Sequence, residues 1–360
     1  MNPVGKQYEQ LCQDADQLRL AGQIDAEITL RRQLLQLRPR DHRMELGLAL
    51  ALLLQGEYLE AWPHYEARLA APVQIQVPNN IPRWDGQSEI AKLLLVAEQG
   101  IGDLVQFLRY IPLLSMAIPS LSIITVPQCV SLLRHSGLFE RIFCFDESFE
   151  PGPDCAWLPL LSLPLLLRLT PSQVLLNGPY LSVDPGRTEI WRELLRTGDQ
   201  HNVVVGLNWQ GNPLAEHGSA KGRSFPLEQL KPIADLGGVS LVSLQKGPGE
   251  EQLTHCSFLN RFTSNQDIVN RCWDLVETLE ILSACDLVIT SDSAVAHLSG
   301  GLGLPTWVLL KSIPDWRWGL NGESSFWYPS MRLFRQQHQG KWGPAIGNVA
   351  NALAILLTEN

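Results

Sequence analysis

The sequence predicts an α/β chain in which two parallel-sheet domains follow a short all-α segment. Three observations carry that expectation. A chain of 360 residues, 45% hydrophobic and 18% charged, is longer than one typical core and has an ordinary globular composition. From residue 92 onward, short β-branched runs alternate with segments of helical period, the pattern of strands joined by crossover helices. Two of these runs, KLLLVA (92–97) and DLVIT (286–290), lead through small or glycine residues straight into a helix, EQGIGDLVQF after the first and SDSAVAHL after the second.

Residues 1–72 read as helices with glycines between them. Gly22 and Gly56 sit 34 residues apart, each opening a similar helical stretch, and 34 is the period of a tetratricopeptide repeat, which the pair resembles. Two repeats are fewer than a free-standing solenoid needs, so these helices are expected to pack on the domain that follows and to offer a surface for a protein partner. Residues 73–90, rich in Pro and Asn, read as a linker.

A first α/β domain is expected over 91–186. Its strands fall at 92–97, 122–126 and 141–145, with helices at 104–114 and 128–136 and a further segment at 154–169. The turn after its first strand holds Gln99, Gly100, Gly102 and Asp103. It lacks the third glycine of a dinucleotide fingerprint. Asp103 is either a helix N-cap or a group with chemistry to do.

A second α/β domain is expected over 187–343. It has strands at 202–208, 239–244, 286–290 and 305–310, and helices at 187–197, 227–236, 273–284 and 294–299, the last ended by Gly300, Gly301 and Gly303. A final helix follows within 344–360. Ligands of open parallel sheets sit at the carboxyl ends of the strands. That draws attention to Asn208 and Gln210 after one strand, Gln245 and Lys246 after the next, and Asp292, Ser293, Ala294 and His297 at the last helix start, where free N–H groups and the positive dipole end suit a phosphate. Asp292 also suits a cap, and His297 a packed position within the helix. Lys221 and Arg223, in a long polar loop with His217, suit an anion. The tryptophans of 312–330 read as packing.

Net charge of −9 argues against a nucleic-acid binder. Seven scattered cysteines without paired spacing suggest neither a disulfide framework nor a zinc site. The start lacks the order of a signal peptide and no apolar run is long enough to span a bilayer, so a cytoplasmic location is expected.

Taken together, EQGIGD (98–103), GLNWQGN (206–212) with RSFP (223–226), and DSAVAHL (292–298) with PDWRW (314–318) resemble bacterial proteins in which tetratricopeptide helices precede a domain like the family-nine glycosyltransferases, the heptosyltransferases among them. The resemblance implies the GT-B architecture, two Rossmann-like domains across a cleft, with the 344–360 helix crossing back to the first domain. It implies an inverting, metal-independent transfer from a nucleotide-diphosphate sugar to a glycan, lipid-linked or protein acceptor, with no cofactor beyond that donor. Asp103 would be the base and Gln99, Gly100 and Gly102 its acceptor-side loop. Arg223 would meet the diphosphate, Ser293 and Ala294 would offer N–H groups to it, and Asp292 would hold sugar hydroxyls. Two alternatives stay open: a GT-B-fold scaffold without chemistry, and a protein O-glycosyltransferase. A nicotinamide dehydrogenase fits less well, because neither glycine turn completes the fingerprint.

Overall fold

The computed structural model describes residues 3–70, 81–147, 152, 154–170, 178–196, 202–216 and 218–359. The first half of the expected linker and His217 lie outside the described residues.

Four helices open the chain: α1 (Pro3–Leu20), α2 (Ile24–Leu37), α3 (His42–Gln55) and α4 (Tyr58–Tyr65), each packed on the next. The junctions follow from local chemistry. Asp41 caps α3 by accepting from the N–H groups of Arg43 and Met44, and Gly56 ends it in the left-handed region at φ 90°. Pro63 stays inside α4 without ending it, and a 3₁₀ turn over Glu66–Ala70 follows.

The first sheet contains β1 (Lys92–Val96), β2 (Ser120–Thr125), β3 (Arg141–Cys144) and β4 (Cys155–Pro159) in the order β3-β2-β1-β4, all parallel. The helix expected over 104–114 is instead two, α5 (Ile101–Leu108) and α6 (Ile111–Ser115). Pro112 falls in the first turn of α6, where its missing N–H has no helical partner to lose. Then come α7 (Val130–Ser136) and α8 (Leu163–Leu166).

The second sheet opens after α9 (Pro185–Leu195). Its strands are β5 (Val203–Asn208), β6 (Val239–Ser243), β7 (Leu287–Ser291), β8 (Thr306–Leu310) and β9 (Met331–Arg335), parallel in the order β6-β5-β7-β8-β9. Every residue of β7 and β8 is buried, as expected of parallel strands covered on both faces. The helices are α10 (Lys231–Ala234), α11 (Gln266–Arg271), α12 (Leu275–Ser283), α13 (Ala294–Gly301) and α14 (Gly343–Glu359). The helix expected over 227–236 is half 3₁₀, over Leu227–Leu230, before α10.

Three expectations are corrected. Strand β9 was hidden behind the aromatic loop. Gly300 and Gly301 do not end α13 but lie inside it, because a Cβ on Gly300 would stand 2.5 Å from Tyr328 and Met331, and one on Gly301 2.7 Å from Leu181. Helix α14 does not cross back to the first domain. It buries Ala345, Ile346, Val349, Ala350 and Leu353 in the second domain's own core, packed on α10, β8 and β9.

What bridges the two sheets is a continuous apolar core. It runs from Trp62 of α4 through Leu104 and Phe107 of α5 to Val288 of β7 and to Trp316 and Trp327 in the loop after β8. No helix of the described residues is long and apolar enough to cross a membrane.

Candidate active site between the two sheets

The two strand–turn–helix units singled out in the sequence face each other. After β1 the backbone turns at Gln99, which takes the left-handed region at φ 62°, and α5 begins. After β7 the chain turns through Asp292 and Ser293 into α13. The starts of α5 and α13 then touch. A Cβ on Gly102 would come within 2.7 Å of His297 Cδ2 and 3.5 Å of Ala294 Cα, so only glycine admits this approach.

Asp103 stands in the first turn of α5 with both carboxylate oxygens engaged. Oδ2 accepts from the Gly100 N–H at 2.8 Å, and Oδ1 accepts from Arg317 Nη2 across the domain boundary. Its side chain keeps 18% exposure, and two contacts leave two of its four lone-pair directions unused. Arg317, 7% exposed, also donates from Nη1 to Asp315 at 2.9 Å and from Nε to the Gln106 Oε1, and lies 4.3 Å over the Trp316 ring.

Asp292 is half-buried beside this cluster. Burial pushes its carboxyl up to about 6, and the Asp315 charge adds to the push, against the pull of Trp318, Arg223 and Arg317. His297 is buried, and burial holds its imidazole well below its ordinary value, with Arg317, Arg109 and Arg223 pressing the same way. It is therefore a neutral ring at physiological pH. Its Nδ1 pairs with the Tyr328 hydroxyl at 2.8 Å, and Trp318 stacks on it at 5.6 Å.

The strand-end residues of the second sheet form a scaffold. Asn208 donates from Nδ2 to Gln245 Oε1 at 3.0 Å and accepts from the Ser293 hydroxyl at 2.8 Å. Gln245 Oε1 also accepts from the Trp209 and Gln210 N–H groups, while its Nε2 donates to the carbonyls of Gln210 and Pro248. Asn208 and Gln245, both buried, thus tie three strand ends together. Because the Ser293 hydroxyl is turned to Asn208, it makes no cap, and the first N–H groups of α13 are left uncapped by that side chain.

Of the other sequence-derived candidates, Arg223 lies along the Gly211 backbone, where a Cβ would stand 2.9 Å from its Nη2, with Glu216 at 3.8 Å. Gln210 accepts from Gln252 at 3.1 Å. Lys246 donates to the Val269 carbonyl of α11, and burial lowers its ammonium from the usual lysine range. Its charge is therefore used inside the second domain and not gathered with Asp103 and Asp292.

The helical segment roofs this site. Tyr65 accepts from Gln99 Nε2 at 3.1 Å, Arg68 grips Glu98 through two bonds at 3.0 and 2.7 Å, and Trp62 donates to the Leu169 carbonyl at 2.8 Å. Tyr58, Trp62 and Tyr65 pack edge-on against Trp316.

Sequence reasoning assigned no role to Arg317, Asp315, Gln106 or Tyr328. The signal for the first two was present in the PDWRW stretch, where the tryptophans drew attention and the arginine between them did not. Gln106 gave a weaker one, a polar residue on the buried side of an amphipathic helix.

No family model matches the chain. A curated relative, the protein FlbA of Caulobacter vibrioides, is 28% identical over 343 residues, covering 86% of this chain and 54% of that protein. The chain therefore spans about half the length of that relative. Among solved structures, the glycosyl transferase family 9 structure from Veillonella parvula matches over 76% of this chain and 100% of its own, with a TM-score of 0.53 at 11% identity. The ADP-heptose lipopolysaccharide heptosyltransferase II of E. coli covers 74% of this chain and 99% of its own, with a TM-score of 0.48 at 15% identity. The first of these likenesses shows a shared fold, two parallel α/β domains of the kind found in that glycosyltransferase family.

Proposed function

We propose that the chain is a glycosyltransferase that moves a sugar from a nucleotide-diphosphate sugar to an acceptor hydroxyl, with inversion and without a metal ion. The observation that carries this reading is the meeting of the α5 and α13 starts, which brings a carboxylate and an uncapped helix N-terminus to the same cleft between two parallel sheets. Such a transfer needs a base on one side of the sugar and positive charge behind the leaving group on the other.

In this reading Asp103 takes the acceptor hydroxyl proton as the acceptor oxygen bonds to the anomeric carbon. The bond from that carbon to the diphosphate oxygen breaks, and the nucleoside diphosphate departs with the electron pair. The N–H groups at the start of α13 and the Arg223 guanidinium meet its growing charge, which is the work a metal ion does elsewhere. Asp292 accepts from sugar hydroxyls. His297, held neutral, keeps the α13 start in place. Asn208 and Gln245 hold the strand ends that carry these groups. The acceptor is a glycan, a lipid-linked sugar or a protein hydroxyl.

A second reading, a fold-only scaffold, has one observation in its favour: Arg317 already occupies one oxygen of Asp103. Calorimetry and thermal shift against ADP, UDP, GDP and CDP separate the two. Ligand at about one hundred times its dissociation constant adds about 2.7 kcal/mol of stability. Selective binding of one nucleotide, lost in Arg223→Ala, supports the transferase. Binding of none favours the scaffold.

A further inference from the structure

A cavity of about 350 Å³ lies between the opening helices and the second domain, lined by none of the residues assigned above to sugar transfer. One wall is α1, α2 and α3, and the other is the chain that leaves β8, Lys311 to Pro314. Its size falls in the range of small-molecule sites. Four cationic side chains line it, Arg19, Arg31, Arg43 and Lys311, with one acidic side chain, Asp16, which accepts from Arg31 at 2.7 Å, while Arg43 pairs with Glu9 at 3.0 Å.

These charges are crowded. Glu27, with no exposure, serves two arginines at once, Arg31 at 2.8 Å and Arg19 at 3.5 Å. Arg19 is 12% exposed, and burial lowers its guanidinium from the usual range, with Arg31 pushing the same way against Glu27. Lys311 is lowered by burial too, and its ammonium donates to the Lys221 carbonyl at 3.1 Å. Arg31 is seated by a glycine within α3: a Cβ on Gly47 would lie 2.3 Å from the guanidinium. A glycine inside a helix costs about 1 kcal/mol relative to alanine, so room for this arginine is kept at the expense of helix stability. Leu46 and Leu50 of α3 and Ile313 supply an apolar wall beside the cations.

Arg31 and Arg43 have close carboxylate partners, but Arg19 is left with the longer 3.5 Å contact to a Glu27 already engaged by Arg31, so an anionic guest beside the apolar wall is favourable there. We propose that this cavity binds a small molecule that joins a phosphate or carboxylate group to an apolar body. The anionic group meets Arg19 and its cationic neighbours, and the body lies on Leu46, Leu50 and Ile313. This goes beyond the sugar-transfer reading and does not depend on it.

The test is calorimetry on the full chain with benzyl phosphate, benzoate, benzyl alcohol and inorganic phosphate. At least one of the two organic anions is expected to bind ten times more tightly than both benzyl alcohol and inorganic phosphate, and whichever binds names the anionic group. Arg19→Gln is expected to weaken that binding at least tenfold, and Lys311→Met, on the opposite wall, gives the same readout if Arg19→Gln does not fold. Arg223→Ala, in the other site, leaves it within twofold. Binding of neither organic anion, equal binding of benzyl alcohol or inorganic phosphate, wild-type affinity in both cavity variants, or loss of binding in Arg223→Ala overturns the proposal.

Discussion

Replacing Arg317 with methionine removes a guanidinium that three groups share. Asp103 and Asp315 lose their ion pair, and buried Gln106, whose Nε2 already has no partner, loses the bond to its oxygen as well. Breaking a buried pair by removing one partner costs about 3–5 kcal/mol, because the remaining charge stays out of water. Asp315 is 35% exposed, so water softens its share, while Gln106 adds the penalty of an unpaired buried amide, about 1–3 kcal/mol. The methionine keeps part of the packing over Trp316. A net loss of about 3–5 kcal/mol is expected, read as a lowered urea midpoint with an unchanged slope. A cycle with Asp103→Asn should show a coupling of about 1–3 kcal/mol between the two positions. A loss below about 1 kcal/mol, or additive effects in the cycle, would falsify the view that Arg317 fastens the first domain to the second through Asp103.

Three further outcomes follow from the same geometry. Burial raises the Asp292 carboxyl from the ordinary aspartate range to about 6, so its folded-state proton is held more tightly than in the unfolded chain. Its contribution to stability is full below about pH 4 and is lost as pH rises through about 6, so Asp292→Asn should stabilise the chain by about 3 kcal/mol at pH 8 and not at pH 3.5, measured by urea unfolding at each pH. His297 has the opposite sign: with its value lowered, its contribution is present above about 6.5 and lost as pH falls, so His297→Gln should flatten the drop in stability between pH 7 and pH 5. Gly102→Ala drives a methyl into His297 and should cost about 1–3 kcal/mol by differential scanning fluorimetry, whereas Gly5→Ala, with open space around it, should not.

The alternation of apolar runs with helical segments was enough to read most strands of both parallel sheets, β4 and β9 excepted, because strands buried on both faces leave an uninterrupted signature, as in LVITS and TWVLL. The two strand–turn–helix units were legible for the same reason, since small residues after a buried run have few other uses. What escaped the sequence was non-local. Gly300 and Gly301 look like helix terminators until Tyr328 and Leu181 are seen filling the space beside them. The apolar stripe of α14 says that it packs, not on which domain. Asn208 and Gln245 have the composition of ligand contacts, but their hydrogen bonds run to each other, to Ser293 and to neighbouring backbone. Arg317 could be found only by knowing that the loop after β8 reaches the start of α5.

That loop also explains why the opening helices belong to the site and are not an appendage. Trp316 is gripped edge-on by Tyr58, Trp62 and Tyr65, and the next residue is the arginine that holds Asp103. Tyr65 reaches Gln99 on the other flank of the same carboxylate, and Arg68 fixes Glu98 just before it. The position of Asp103 is therefore set from three sides: by its own helix through Gly100, by the second domain through Arg317, and by the helical roof that fastens both neighbours. A close-packed arrangement of this kind transmits small displacements instead of absorbing them. A change in how the helices sit, including occupation of the cavity that α1 and α3 line, reaches Asp103 through the 311–318 segment on one flank and through Glu98 and Gln99 on the other.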